Sequence, residues 1–385
     1  MQIGVFTFGG VELSERGPGS PHPVDRRQGQ KEMWSATEAI LGLGMAADRI
    51  GYDSFWLTEH HFQYEGYEVT PNAVLLCTWL AAKTNRIRLG ALFNIVPQWH
   101  PLRLAEDFAT MHNLSGGRGI LGVGRGTVPR ELLPLSLFAV SVGSFDNPDR
   151  KADDDKNREV FAESLEVIKK ALEQETFSHS GEYFQLPPPG IPDRGSTVQE
   201  LTLIPRPLYP YEIWQAITSP PTLEAVPRLG HGGVFWLMHH DFVKRFWNRY
   251  GEIYQETHDR ELAAGENRML VVCVRVADTK EQAVDSARLG HDEFWRFLAP
   301  YGWSRGYMGD DGKPAVPGLT PTLEESMRQK VWLVGTAEEV AGEIAFYREN
   351  LGCDKLVIFP QFAGDSYALA EEQIERFWAE VVPLI

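Results

Sequence analysis

Residues 87–123 read IRLGALFNIV-PQWH-PLRLAEDFATMH-NL-SGGR-GILGV and hold a strand, a helix and a second strand in succession. Ile87 to Val96 is mostly apolar, as expected of a strand covered on both faces. Leu104, Phe108 and Met111 recur at helical spacing between Pro101 and His112. Ser115-Gly116-Gly117-Arg118 supplies a turn, and Gly119 to Val123 is apolar again. Strand, helix and strand with short connections make a βαβ unit, whose strands run parallel.

The same rhythm extends in both directions. Upstream, Ile3 to Phe8 is β-rich, and a polar Gly/Pro-rich stretch follows to Gln30. Met33, Thr37, Ile40, Gly44, Ala47 and Ile50 then mark a helix that Gly51 stops. Asp53 to Leu57 is a second strand, and residues 73–83 form an apolar helix. Downstream, Phe161, Leu165, Ile168 and Leu172 share one face of a helix near 156–174. Further strands are expected at Glu212–Ile217, Gly233–Leu237, Met269–Val276 and Lys355–Phe359, with helices between them. One of these opens on the capping box Thr336-x-x-Glu339.

Eight parallel strands close most simply as a (β/α)8 TIM barrel, an α/β fold. Such a barrel accommodates insertions, so 385 residues are read as a single barrel domain over 1–385. Two Gly/Pro-rich stretches break the repeat: 125–150 after the fourth strand and 299–330 between the seventh and eighth. Both are expected to be loop insertions, the first lying over the barrel mouth as a lid.

Composition narrows the function. Hydrophobic residues at 43% and charged residues at 23% exclude a disordered chain. A net charge of −16 repels phosphate backbones, so no nucleic-acid partner is expected. No apolar run approaches the ~18 residues of a membrane span, and the first residues lack a basic targeting region. Cys77, Cys273 and Cys353 lie far apart in apolar company, which points to a reducing cytoplasm.

In barrels of this kind chemistry sits where strands end. After the second strand stands Thr58-Glu59-His60-His61-Phe62. Adjacent side chains on an extended chain point apart, so His60 and His61 do not readily share an ion, and no metal is expected. One histidine facing the mouth would exchange protons near neutrality; two packed histidines satisfying local backbone are the alternative. After the third strand, Leu92-Phe93-Asn94 and Pro97-Gln98-Trp99-His100-Pro101 form an apolar, aromatic wall suited to a flat heterocycle, or to ordinary packing. After the fourth, Gly122-Val123-Gly124-Arg125-Gly126 lets backbone approach a ligand and gives Arg125 to an anion. After the fifth, Thr218-Ser219-Pro220-Pro221 is either a plain helix cap or a phosphate site at a helix N-terminus.

These pieces, in this order, resemble the bacterial luciferase-like flavin monooxygenase family. The matching motifs are Gly51-Tyr52-Asp53-Ser54-Phe55-Trp56-Leu57-Thr58-Glu59-His60-His61-Phe62, His100-Pro101-x-Arg103-x-x-Glu106-Asp107, Leu114-Ser115-Gly116-Gly117-Arg118, Gly124-Arg125-Gly126, Phe177-x-x-x-Gly181-x-Tyr183, Thr218-Ser219-Pro220 and Val334-Gly335-Thr336. The resemblance implies a flavin-dependent monooxygenase that uses reduced FMN as cosubstrate with O2. A flavin hydroperoxide or peroxide would then oxygenate a small, apolar organic substrate. It implies His60 as the active-site histidine, Arg125 and Arg158 as phosphate ligands, and Thr218 and Ser219 as further phosphate donors. Leu92-Phe93 matches the position where the family can carry a non-prolyl cis peptide under the flavin ring, with Asn94 near the ring edge. Phe8, Trp99 and Trp236 are expected to line the substrate pocket.

The resemblance also implies a flavin reductase as partner and a homodimer. Light emission is not expected, because Gly124 stands where the light-emitting members carry a reactive cysteine. Ile217 replaces an acidic residue before the phosphate-binding turn, leaving at most a backbone contact there. The alternatives are a deazaflavin-dependent dehydrogenase on the same fold, a non-catalytic flavin-binding relative, and a metal-dependent hydrolase barrel.

Overall fold

The computed structural model describes residues 1–140, 150–316 and 318–385. A closed ring of parallel strands lies at its centre: β1 (Gln2–Thr7), β2 (Ser54–Leu57), β3 (Arg88–Ala91), β4 (Gly119–Gly124), β5 (Ile213–Ala216), β6 (Gly232–Phe235), β7 (Arg268–Val276) and β8 (Lys355–Phe359). Each pairs with its neighbours in that order. Leu121 faces Ile213 where β4 meets β5, and Ile3 faces Leu356 where β8 returns to β1. The eight-stranded barrel expected from the sequence is therefore the observed fold.

Around the ring run α1 (Gln30–Ile50), α2 (Ala73–Ala81), α3 (Pro101–Leu114), α4 (Pro129–Leu135), α5 (Arg150–Glu173), α6 (Pro220–Arg228), α7 (His240–His258), α8 (Lys280–Leu298), α9 (Leu323–Arg328), α10 (Ala337–Leu351) and α11 (Tyr367–Arg376). No helix among the described residues is long and apolar enough to cross a membrane.

The period of two along each strand sorts the core into two packed sets. Val5, Phe55, Leu121, Ile213, Phe235 and Leu270 join the helices in one cluster. Phe6, Trp56, Ile120, Trp214, Val234, Met269 and Val271 form the other, inside the ring. The barrel interior is filled by setting large residues against small ones. A Cβ on Gly90 would come within 2.8 Å of the Trp56 ring. The Trp56 indole N–H is satisfied by Ser54 Oγ at 2.8 Å.

The structure departs from the sequence reading in four places. The third strand stops at Ala91, the Leu92–Phe93 peptide is cis, and Asn94–Ile95 resumes pairing against Val123 and Gly124. Helix α5 begins at Arg150, one and a half turns early, because its charged first turns (Arg150 to Asn157) carry no apolar stripe to read. The stretch 299–330 is not only loop: it holds two short 3-10 turns and α9, and a further parallel strand follows at Trp332–Gly335, paired with Cys273–Val276 of β7 outside the ring. Two small antiparallel hairpins, His179–Ser180 with Gln185–Leu186 and Pro192–Asp193 with Ser196–Thr197, bridge α5 and β5. The insertion after β4 carries α4; residues 141–149 of the expected lid lie outside the described residues.

Candidate active site

β2 ends at Leu57, and the chain turns across the barrel mouth. His60 and His61 diverge there. His61 Nε2 lies 3.2 Å from Glu59 Oε1, away from the mouth. His60 lines the central cavity, its Nδ1 3.0 Å from the Glu131 carboxylate and its Nε2 2.9 Å from Glu68 Oε1. Glu68 follows β2 and Glu131 sits on α4, so the insertion after β4 meets the β2 loop at this imidazole. Gln63 also donates to Glu131 at 2.5 Å, and Arg130 pairs with Glu65 at 2.8 Å.

Electrostatics follow from that clamp. Burial alone would lower the His60 pKa, but Glu68 and Glu131 outweigh it and hold it at about 10. Burial pushes Glu68 up; His60 pulls it back, Glu131 and Glu65 push further, and it settles at about 7. With a carboxylate on each ring nitrogen, His60 is an imidazolium at neutral pH and a proton donor in the resting site.

The cavity measures about 630 Å³ and runs from His60 past Leu92, Phe93, Arg125, Arg158 and Thr218. Its polar end rests on one carboxylate. Asp154 Oδ1 accepts from Arg125 Nη1 at 2.5 Å and Oδ2 from Arg158 Nη2 at 2.6 Å. Asp154 itself does not line the cavity. Burial lowers the Arg125 pKa and Asp154 opposes that; Asp154 in turn is raised by burial and lowered further by the two arginines, so it stays ionised. At the start of α6, Pro220 and Pro221 have no N–H to offer. The Thr218 and Ser219 N–H groups point to Thr222 Oγ1 at 3.2 and 3.1 Å, the arrangement of a capped helix. Thr218 lines the cavity; Ser219 does not.

A smaller recess of about 60 Å³ continues inward. It shares His60, Leu92, Phe93, Thr218 and Trp303 with the main cavity and adds Glu68, Phe6, Phe8, Trp236 and Phe297. Phe8 and Trp236 meet edge to face with centroids 5.6 Å apart, so two of the expected pocket residues stand together. Two expectations need correction. Trp99 is turned into the wall, its indole N–H donating to Glu59 Oε1 at 2.7 Å, because that buried carboxylate needs donors. Asn94 is buried behind the cavity with Nδ2 donating to Gly122 O at 2.8 Å. Gln98, four residues on, does line the cavity, and its Oε1 is buried without a partner among the described residues.

His60, Leu92, Phe93, Arg125, Arg158 and Thr218, all expected at the site from the sequence, line one cavity. Glu68, Glu131, Asp154 and Trp303 were not expected there, and Gln98 was expected only as part of the stretch 97–101. Only the Arg125–Arg158 pair carried a usable signal: an acidic residue four positions before Arg158 on a helix is its expected partner.

The family model for luciferase-like monooxygenases matches residues 1–355. The chain is 26% identical over 373 residues, 94% of this chain and 92% of the relative, to the oxygenase component of a flavin-dependent trigonelline monooxygenase of Acinetobacter baylyi. It is 28% identical over 198 residues, 50% of each chain, to an F420-dependent glucose-6-phosphate dehydrogenase of Kineococcus radiotolerans. Among solved structures it is similar to the oxygenating constituent of 3,6-diketocamphane monooxygenase of Pseudomonas putida, a type II Baeyer–Villiger monooxygenase in complex with FMN. The TM-score is 0.71 at 23% identity, covering 100% of this chain and 98% of that one. The match to the family model spans every barrel strand through β7, the histidine of the mouth and both arginines: the chain belongs to the luciferase-like monooxygenase family.

Proposed function

We propose that this chain is the oxygenase of a two-component flavin monooxygenase. It takes reduced FMN from a flavin reductase and, with O2, oxygenates a small organic substrate. One observation carries the reading: a cavity with a guanidinium pair at one end opens on an aromatic recess at the other, with His60, clamped by two carboxylates, between.

The residues fit the cofactor. Asp154 engages both guanidiniums through its two oxygens, so each is oriented to serve an oxyanion, and a phosphate asks for the same donors. Gln98 Oε1, buried and without a partner, is suited to an N–H of a heterocycle. Arg125, Arg158 and Thr218 would hold the phosphate, and Leu92 and Phe93 would offer apolar contact to the ring. Bound reduced FMN supplies the electrons and the activation of oxygen. His60 holds protons at Nδ1 and Nε2 and gives one up to a developing oxyanion; solvent returns it, and Glu68 and Glu131 hold the recharged ring in place. The aromatic recess keeps bulk water from the reacting atoms. A homodimer in the cytoplasm belongs to the same proposal; Leu75 and Trp79, exposed on α2, offer an apolar face for it.

A second reading has its own support. The cavity runs on between α5 and α6 to Lys169 and to Lys170, which is paired with Glu166 at 2.8 Å; Lys169 would suit the longer anionic tail of a deazaflavin. Incubation with reduced FMN and, separately, with reduced deazaflavin decides between them. Oxygen-dependent product with FMN, carrying label from labelled O2, is expected. Product with the deazaflavin alone and no O2 uptake would select the dehydrogenase instead.

A further inference from the structure

The inner recess holds an unbalanced charge. Glu68 and Glu131 are each 2% exposed and flank one imidazolium, two negative charges against one positive. Glu65 is paired with Arg130 and adds nothing net, and Gln63, which donates to Glu131, is neutral. The Glu59 oxygens are taken by Ile95 N, Trp99 and His61. Above about pH 7, where Glu68 is ionised, the cluster therefore carries one uncompensated negative charge.

That charge reaches the recess through Glu68. Glu68 lines it, and Glu68 Oε2 is buried with no hydrogen-bond partner among the described residues. A buried carboxylate oxygen without a donor is costly, and a neutral, apolar occupant would leave that cost in place. Its other walls set the rings of Phe6, Phe8, Trp236, Phe297 and Trp303 among aliphatic side chains and Thr58, Thr127 and Thr218. Aromatic faces attract cations, most strongly when these are weakly hydrated and flat or quaternary.

We propose that this recess selects a cationic substrate, a small ring bearing a quaternary or protonated nitrogen, with its charge set against Glu68 and its body packed on Phe8, Trp236 and Trp303. The proposal deepens the flavin reading: it rests on that reading for what is done to the substrate, but the cation binds whether or not flavin is present. The cavity is then bipolar, with guanidiniums for an anionic cofactor at one end and a carboxylate for a cationic substrate at the other. His60 does not repel such a substrate outright, because Glu131 balances its charge. The net charge of −16 draws cations toward the molecule from a distance.

N-methylpyridinium and toluene share shape and electron count and differ by one charge. Their binding is measured by calorimetry on EDTA-treated full-length protein at about pH 8, with and without saturating oxidised FMN. N-methylpyridinium is expected to bind at least about tenfold more tightly than toluene. In Glu68→Gln the preference is expected to fall to within about twofold. Equal affinity for the two probes in the wild type would overturn the proposal, as would a preference that survives in Glu68→Gln. Displacement of the cation by FMN would do so too, since it would put the cation in the cofactor's part of the cavity. The wild-type comparison stands even if Glu68→Gln fails to fold. If FMN fails to bind while the cation preference holds, the flavin reading falls and the cation site stands. If FMN binds and the preference is absent, this inference alone falls.

Discussion

His60 is held by two carboxylates that come from different parts of the chain, and its chemistry follows from both. Removing the imidazole in His60→Ala is expected to abolish oxygenation while FMN still binds, because Arg125, Arg158 and Thr218 are untouched; product formation at the wild-type rate would refute the role. The same clamp sets a pH dependence. Burial opposes the charged form, yet Glu68 and Glu131 raise the His60 pKa from its ordinary 6.5 to about 10. A group raised on folding contributes stability that is complete below about pH 6.5 and drains away as pH climbs through about 10. Breaking such a pair costs about 3–5 kcal/mol. Urea midpoints of wild type and His60→Gln are therefore expected to lie well apart near pH 6.5 and to converge toward about pH 10.5. A constant separation across that range would show that the pair does not stabilise the fold. The histidine itself was legible in the sequence, since it follows a strand end in Thr58-Glu59-His60-His61. Its partners were not: Glu131 stands 71 residues away on α4, and nothing local marks a carboxylate that matters only after the insertion folds back.

At the scale of elements, the polar end of the cavity joins the end of β4 to the second and third turns of α5. Arg125 and Arg158 meet only through Asp154, which bonds both. Arg125→Ala and Arg158→Ala are each expected to weaken FMN binding by about 10- to 100-fold, the range of a hydrogen bond to a charged group. Riboflavin, which lacks the phosphate, is expected to bind each variant as it binds the wild type. Equal losses for both flavins would place the arginines elsewhere than at the phosphate. The approach of β3 to β4 makes a separate demand. A Cβ on Gly122 would fall 1.8 Å from Ala91 O, a backbone atom that has no room to yield. Gly122→Ala is thus expected to cost about 1–3 kcal/mol or more, seen as a lower melting temperature; an unchanged one would mean that β3 can shift. The strands were legible because each is a short apolar run followed by a helix of period 3.6. The break at Leu92–Phe93 and the extra strand Trp332–Gly335 were not. The first interrupts a run that stays apolar through Val96; the second is no shorter than β2, β3, β5 or β6, but it directly follows the stretch read as a loop insertion and adds a ninth strand to a barrel that eight already close.

The molecule as a whole places its mouth under two insertions from opposite halves of the chain. The barrel beneath them could be read from sequence because it repeats; the insertions could not, because each occurs once and its contacts are with other parts of the chain: Glu131 with His60, Tyr307 with Trp295, and Gly306 with His239. α4 brings Glu131 to His60, and the turn Trp303–Gly306 brings Trp303 to both the main cavity and the inner recess. Neither insertion closes the site alone. If the cavity receives FMN, both walls gain contacts at once, and local opening of both segments becomes less favourable by the same binding free energy. Amide hydrogen exchange is expected to slow together in residues 128–135 and 301–307 when oxidised FMN is added. α9, which lies outside the cavity lining, should exchange as before. Protection confined to one insertion would mean that the cofactor rests against a single wall. Protection of α9 as well would mean a general tightening of the fold, with no specific closure over the barrel mouth.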